Sequence, residues 1–123
     1  MKNAINWVEI PVTDFKRAKK FYETIYGAEI QEMPMDDMEY GVLPYDQEGK
    51  AVGGGIVKME GYKPSADGTV VYLNGGEDLS EQLAKVEPAG GKIVIPKKDI
   101  GENGFMAHFI DTEGNRVALH SMN

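Results

Sequence analysis

The chain has 123 residues, 41% of them apolar and 27% charged, which is the balance of one soluble globular domain with a core of its own. A formal charge of −7 and the absence of cysteine exclude disulfides and thiolate metal sites, and they speak against a nucleic-acid or anionic-membrane partner. No apolar run approaches the ~20 residues that a membrane span needs, and the first residues lack the apolar stretch of a signal peptide, so a cytoplasmic protein is expected.

Residues 5–12, INWVEIPV, alternate: Val8, Ile10 and Val12 fall on one face, Trp7, Glu9 and Pro11 on the other. That period predicts a strand, and Pro11, with no N–H to give, predicts that it lies at a sheet edge or ends there. Thr13 or Asp14 offers a cap oxygen for a helix whose apolar stripe is Phe15, Ala18, Tyr22 and Ile25, widened by Phe21 and Tyr26. Gly27 ends it. Three extended pieces follow near 28–33, 38–45 and 51–59, punctuated by Pro34, Pro44 and the turn Asp46–Gly49. Residues 61–68, GYKPSADG, have linker composition.

The pattern then restarts. Residues 69–74 are rich in strand formers. Asp78 is placed to cap a second helix, with Glu81 as its capping-box partner and Leu79, Leu83 and Val86 as its apolar stripe. Pro88, Gly90 and Gly91 end it, and extended pieces follow near 91–97, 104–110 and 115–122. The halves superpose: Asp14 on Asp78 at an offset of 64, Gly27 on Gly90 at 63, and DQEGKAV on DTEGNRV at 65. Near-constant offsets across three landmarks predict a duplicated β-α-β-β-β unit, an α+β fold, with module one at 1–60 and module two at 69–123 of a single domain. The two D-x-E-G pieces read as tight hairpin turns in which glycine supplies a positive φ.

WVEIPVTDFKRAKKFY, YGAEI, GGGIV, PAGGKIV and FIDTEGNRVALHS occur in the order found in the vicinal-oxygen-chelate superfamily of glyoxalases, bleomycin-resistance proteins and dioxygenases, which the chain resembles along nearly its whole length. The resemblance implies paired modules curled into a half-open, U-shaped barrel with a ligand, often with a divalent metal, inside, and a homodimer. Exposed strand edges favour a dimer as well. It also implies four inward metal-ligand positions, which carry over to Trp7, Gly53, about Val71, and Ala118. None of these side chains ligates a metal, so no metal or other cofactor is expected, and divalent-metal chemistry is the alternative.

The same faces carry other chemistry. Glu9 stands beside Trp7 and His120 beside Ala118, a carboxylate and an imidazole suited to acid–base work near neutral pH. The plainer readings are that Glu9 caps a backbone group and that His120 sits at an exposed end. Trp7 is either a stacking surface for a ligand or core packing. Gly53 and Gly55, in a triple glycine, mark close approach of a ligand or of backbone. Tyr72 lines the cavity if the register moves by one, and Tyr40 and Tyr45 reach its mouth. His108 reads as structural, and Met33, Met35 and Met38 as gap fillers or a lid. The expected function is metal-independent binding of a small organic molecule, aromatic or cationic. The alternative is a lactoylglutathione-lyase-like or other metal-dependent lyase, isomerase or dioxygenase.

Overall fold

The computed structural model describes residues 2–34 and 36–123. The chain forms two compact units that meet at Pro64 and Ser65, inside the stretch 61–68. Unit one contains strand β1 (Trp7–Pro11), helix α1 (Phe15–Tyr26) and strands β2 (Gln31–Pro34), β3 (Glu39–Val42) and β4 (Gly53–Lys58). Unit two repeats the order with β5 (Val71–Asn74), α2 (Ser80–Val86), β6 (Lys92–Asp99), β7 (Phe105–Ile110) and β8 (Arg116–Ser121), plus a short 3-10 turn, Gly101–Asn103. The sheets are built alike: β1-β4-β3-β2 in unit one and β5-β8-β7-β6 in unit two. In each, the first strand runs parallel to the last and the other pairs are antiparallel. The α+β class and the duplicated β-α-β-β-β order are therefore as predicted.

Local chemistry explains most boundaries. Asp14 caps α1 by accepting the N–H of Arg17 at 3.0 Å, and Gly27 at φ 67° stops it. Phe15, Ala18, Phe21, Tyr22 and Ile25 are buried. Residues of β1 and β4 that pair across the ladder share a face, so Ile10 and Ile56 are the helix-side pair and Glu9 and Gly55 the opposite one. In unit two Leu73, Ala107, Phe109, Val117 and Leu119 are buried on one face of their sheet.

Two turn expectations change. Asp78 does not cap α2 through a capping box. Its Oδ1 takes the N–H of Ser80 at 2.8 Å and the Lys97 ammonium at 3.0 Å, while the Leu79 N–H goes to the Ser121 hydroxyl at 3.0 Å. The Ser80 N–H and Lys97 hold the Asp78 carboxyl at a pKa of about 2. The two D-x-E-G turns also differ. Gly114 has the expected positive φ of 93°, but in unit one Lys50 takes that conformation at φ 55°. A Cβ on Gly49 would meet the exposed Asp46 carboxylate, whose Oδ1 accepts the Gly49 N–H, so a larger residue there would displace that side chain.

Candidate ligand site

In unit one the site is built on the sheet face turned away from α1. Trp7 lies opposite Gly53 and Glu9 opposite Gly55 in the parallel ladder. Trp7 Nε1–H donates to Tyr40 Oη at 2.7 Å, and the Tyr40 hydroxyl donates to Glu9 Oε2 at 2.9 Å. Tyr45 stands edge-on to Trp7, with ring centroids 5.5 Å apart. These side chains line a concavity of about 580 Å³, completed by Gln31, Met33, Met38, Val42 and Gln47. Met35 lies outside the described residues. Burial raises the Tyr40 pKa above the usual phenol value. The Trp7 bond opposes that rise and the Glu9 bond adds to it. The phenol is thus protonated at neutral pH and can be the donor to Glu9. Among the described residues no cation pairs with Glu9.

The triple glycine has a specific use here. A Cβ on Gly53 would lie 2.6 Å from the Tyr45 ring, and one on Gly55 2.5 Å from the Tyr40 ring. The close approach expected at these glycines is made by two tyrosine rings, so Gly53 and Gly55 shape the site by admitting Tyr45 and Tyr40. Among the described residues Glu9 caps no backbone group, and its partner is the Tyr40 hydroxyl. Trp7 is 38% exposed, which is not the environment of a core residue.

In unit two Tyr72 pairs with Ala118 and Asn74 with His120. Tyr72 therefore holds the place that Trp7 holds opposite Gly53. The third carried-over position is Tyr72, one residue on from Val71, which pairs with buried Val117. His108 lies opposite Ala118 across the β7–β8 ladder and so shares this face. It contacts two partners: Arg116 Nε–H donates to Nδ1 at 3.0 Å, and Nε2 lies 2.9 Å from Tyr72 Oη. His120 Nε2 lies 2.6 Å from the backbone carbonyl of Asn103. A concavity of about 660 Å³ is lined by Tyr72, Asn74, Asn103, Met106, His120 and Met122, among others. Glu9 and His120 belong to separate units, and each is held by a partner within its own.

Sequence reasoning left the His108 contacts unseen. Register could have found them. The DTEG turn sets Ile110 opposite Arg116, and counting two back and two forward sets His108 opposite Ala118.

The donor set does not fit a divalent metal. The four positions are an indole, a glycine, a phenol and an alanine, where such a site needs imidazoles or carboxylates. Among the described residues no three His, Cys, Asp or Glu side chains converge on one point.

Two similar β-α-β-β-β units, each with an aromatic residue of its first strand opposite a small residue of its last, define a duplicated α+β class. The chain belongs to the Glyoxalase/Bleomycin resistance protein/Dioxygenase superfamily, whose sequence profile matches residues 4–119. It is 32% identical to a glyoxylase-like domain-containing protein of Didymella fabae, over 94% of this chain and 91% of that one. It is 28% identical to CFP32 of Mycobacterium bovis over 96% of its own length, yet spans only 45% of that protein. Among solved structures it is similar to the trypanothione-dependent glyoxalase I of Leishmania major, at TM-score 0.72 and 21% identity, covering 98% and 88% of the two chains. It is also similar to FosX, a fosfomycin resistance protein of Listeria monocytogenes, at TM-score 0.65 and 13% identity, covering 100% and 96%. At these identities the structural likenesses show the fold alone. Among the described residues no helix is long and apolar enough to cross a membrane.

Proposed function

We propose that this chain binds a small aromatic cation without a metal, in the concavity of unit one. The observation that carries the reading is the chain of hydrogen bonds from Trp7 through Tyr40 to Glu9, ending in a carboxylate that no cation among the described residues neutralises. A cation seated there meets the Glu9 charge and the faces of Trp7 and Tyr45, an arrangement worth ~0.5–2 kcal/mol per cation–ring contact. The Tyr40 hydroxyl fixes the carboxylate in place, so little side-chain freedom is lost on binding. The net charge of −7 adds weak long-range attraction for a cation.

Trp7 is the only tryptophan, so its fluorescence reports the site directly. Titration with benzyltrimethylammonium is expected to change that emission saturably, and Glu9→Gln is expected to weaken binding about tenfold, the loss of one charge-assisted contact. An emission unmoved by a broad set of aromatic cations sinks the reading. Metal analysis after loading with zinc, nickel, manganese or iron tests its other half: one tightly held ion per chain would overturn metal independence and bring a metal-dependent lyase, isomerase or dioxygenase forward.

A further inference from the structure

We propose that Arg116, His108 and Tyr72 form a one-way hydrogen-bond relay that presents the Tyr72 hydroxyl as a donor to a carboxylate or carbonyl oxygen of an organic ligand. The argument begins with the guanidinium, which has hydrogens and no acceptor lone pair. Its Nε–H points at His108 Nδ1 at 3.0 Å, so Nδ1 must be bare. A neutral imidazole then carries its single hydrogen on Nε2, which faces Tyr72 Oη at 2.9 Å. Tyr72 accepts that hydrogen, so its own O–H is turned elsewhere. The direction cannot reverse while Arg116 is in place, because a proton on Nδ1 would face the Arg116 N–H.

The surroundings keep the relay in this state. His108 is only 7% exposed. Burial first, and the nearby Arg116 charge second, lower its pKa and keep the ring neutral at pH 7. The Tyr72 and His108 rings meet edge to face at 83°, which holds the phenol against the imidazole. No carboxylate pairs with Arg116 among the described residues, so its charge is not cancelled locally. Tyr72 is 51% exposed, so the residue at the end of this part-buried relay is accessible to a ligand. A phenol that accepts one hydrogen bond is a stronger donor in its next one. The acceptor it suits is an oxygen with free lone pairs, and the positive end of the relay favours an anionic one. His108 and Arg116 are positioning residues; Tyr72 makes the contact. This inference does not rest on the reading of unit one.

Long-range proton–nitrogen correlation spectra on the intact chain, labelled at histidine, test the relay without any substitution. The expected result is a neutral His108 ring with its proton on Nε2 at neutral pH; a proton on Nδ1, or an imidazolium, overturns the proposal. Arg116→Met is expected to mix the two tautomers, and an unchanged tautomer would refute the role of Arg116. The contact itself is probed by titration with benzoate, benzamide and benzylammonium, followed on the Tyr72 ring resonances. Benzoate is expected to bind better than benzamide, and Tyr72→Phe to weaken benzoate about tenfold while His108 keeps its tautomer. Benzoate that binds Tyr72→Phe as it binds the wild type, or that never shifts Tyr72, overturns the donor assignment. The two readings fail separately, because this one is read on the His108 tautomer and on benzoate with Tyr72→Phe, and that of unit one on benzyltrimethylammonium with Glu9→Gln.

Discussion

The two units set nearly the same scaffold to opposite electrical ends. Each has one strand order, and in each an aromatic of the first strand lies opposite a small residue of the last, Trp7 on Gly53 and Tyr72 on Ala118. Each meets a second ring edge to face, Tyr45 at 5.5 Å in one case and His108 at 5.3 Å in the other. The polarity then diverges. In unit one the donors run from Trp7 through Tyr40 and stop at the Glu9 carboxylate, an acceptor. In unit two they start at the Arg116 guanidinium, pass through His108 and stop at a hydroxyl with a proton to give. A duplicated backbone repeats positions; the side chains placed on it decide which kind of atom the last member offers.

The hairpin turns show the same divergence in stability, and they give the largest expected effect. Asp111 is 4% exposed and accepts from the Glu113 N–H, the Asn115 N–H and Asn115 Nδ2. Asp46 caps an exposed turn by accepting from the Gly49 N–H. Asp111→Ala leaves buried donors unpaired and is expected to cost about 3 kcal/mol, against about 0.5 kcal/mol for Asp46→Ala. Urea unfolding of the two variants checks this, and equal midpoints would show that the turns are equivalent after all.

The glycines of β4 come next. Gly55→Ala would set a methyl 2.5 Å from the Tyr40 ring and 2.9 Å from the Gly41 carbonyl oxygen, so ring and backbone must both give way. The expected cost is about 2 kcal/mol of overpacking, with a change in Trp7 emission as Tyr40 leaves it. In unit two the residue that matches Gly53 is Ala118, and Ala118→Gly opens space instead of filling it, at a cost of about 1 kcal/mol through backbone freedom. If Gly55→Ala leaves Trp7 emission alone, the seat under Tyr40 is not what holds the Trp7 bond.

Most of the architecture was legible because it rests on local signals. Alternation at 5–12, the Asp14 cap and the Gly27 stop each follow from neighbours in sequence, and the near-constant offsets of 63 to 65 show the same order repeated in the second half. The site was legible by position and not by contact. Alternation put Glu9 beside Trp7, but nothing local says that a tyrosine 31 residues away would hold it. The triple glycine announced a close approach without saying whose. The capping box fails because Oδ1 of Asp78 takes the Ser80 N–H and the ammonium of Lys97, which comes from a distant strand, while the Glu81 N–H goes to the Asp78 backbone carbonyl at 3.3 Å. His108 reads as structural in the sequence because alternation alone does not say which face it shares; the β7–β8 register, with His108 opposite Ala118, does.

Smaller effects separate the units further. Tyr40→Phe deletes the hydroxyl between Trp7 and Glu9. It is expected to cost about 1 kcal/mol and to shift Trp7 emission, while His108→Gln should leave that emission unchanged.

The units also differ in pH dependence, where they have opposite limbs. In unit two the folded pKa of His108 lies below its ordinary 6.5, so the unfolded chain takes up its proton first as pH falls. Its contribution to stability is complete above pH 6.5 and is lost on acidification below that value. In unit one burial pushes the Tyr26 phenol up to about 12 from 10.0, so the unfolded chain releases its proton first as pH rises. That contribution is complete below pH 10 and is lost between there and about 12. Thermal unfolding of the wild type, His108→Gln and Tyr26→Phe across pH separates the limbs. The histidine variant should flatten only the acid side and the tyrosine variant only the alkaline side. An acid limb unchanged in His108→Gln would mean that carboxylates govern acid unfolding, and that the neutral His108 in the Tyr72 relay contributes nothing to it.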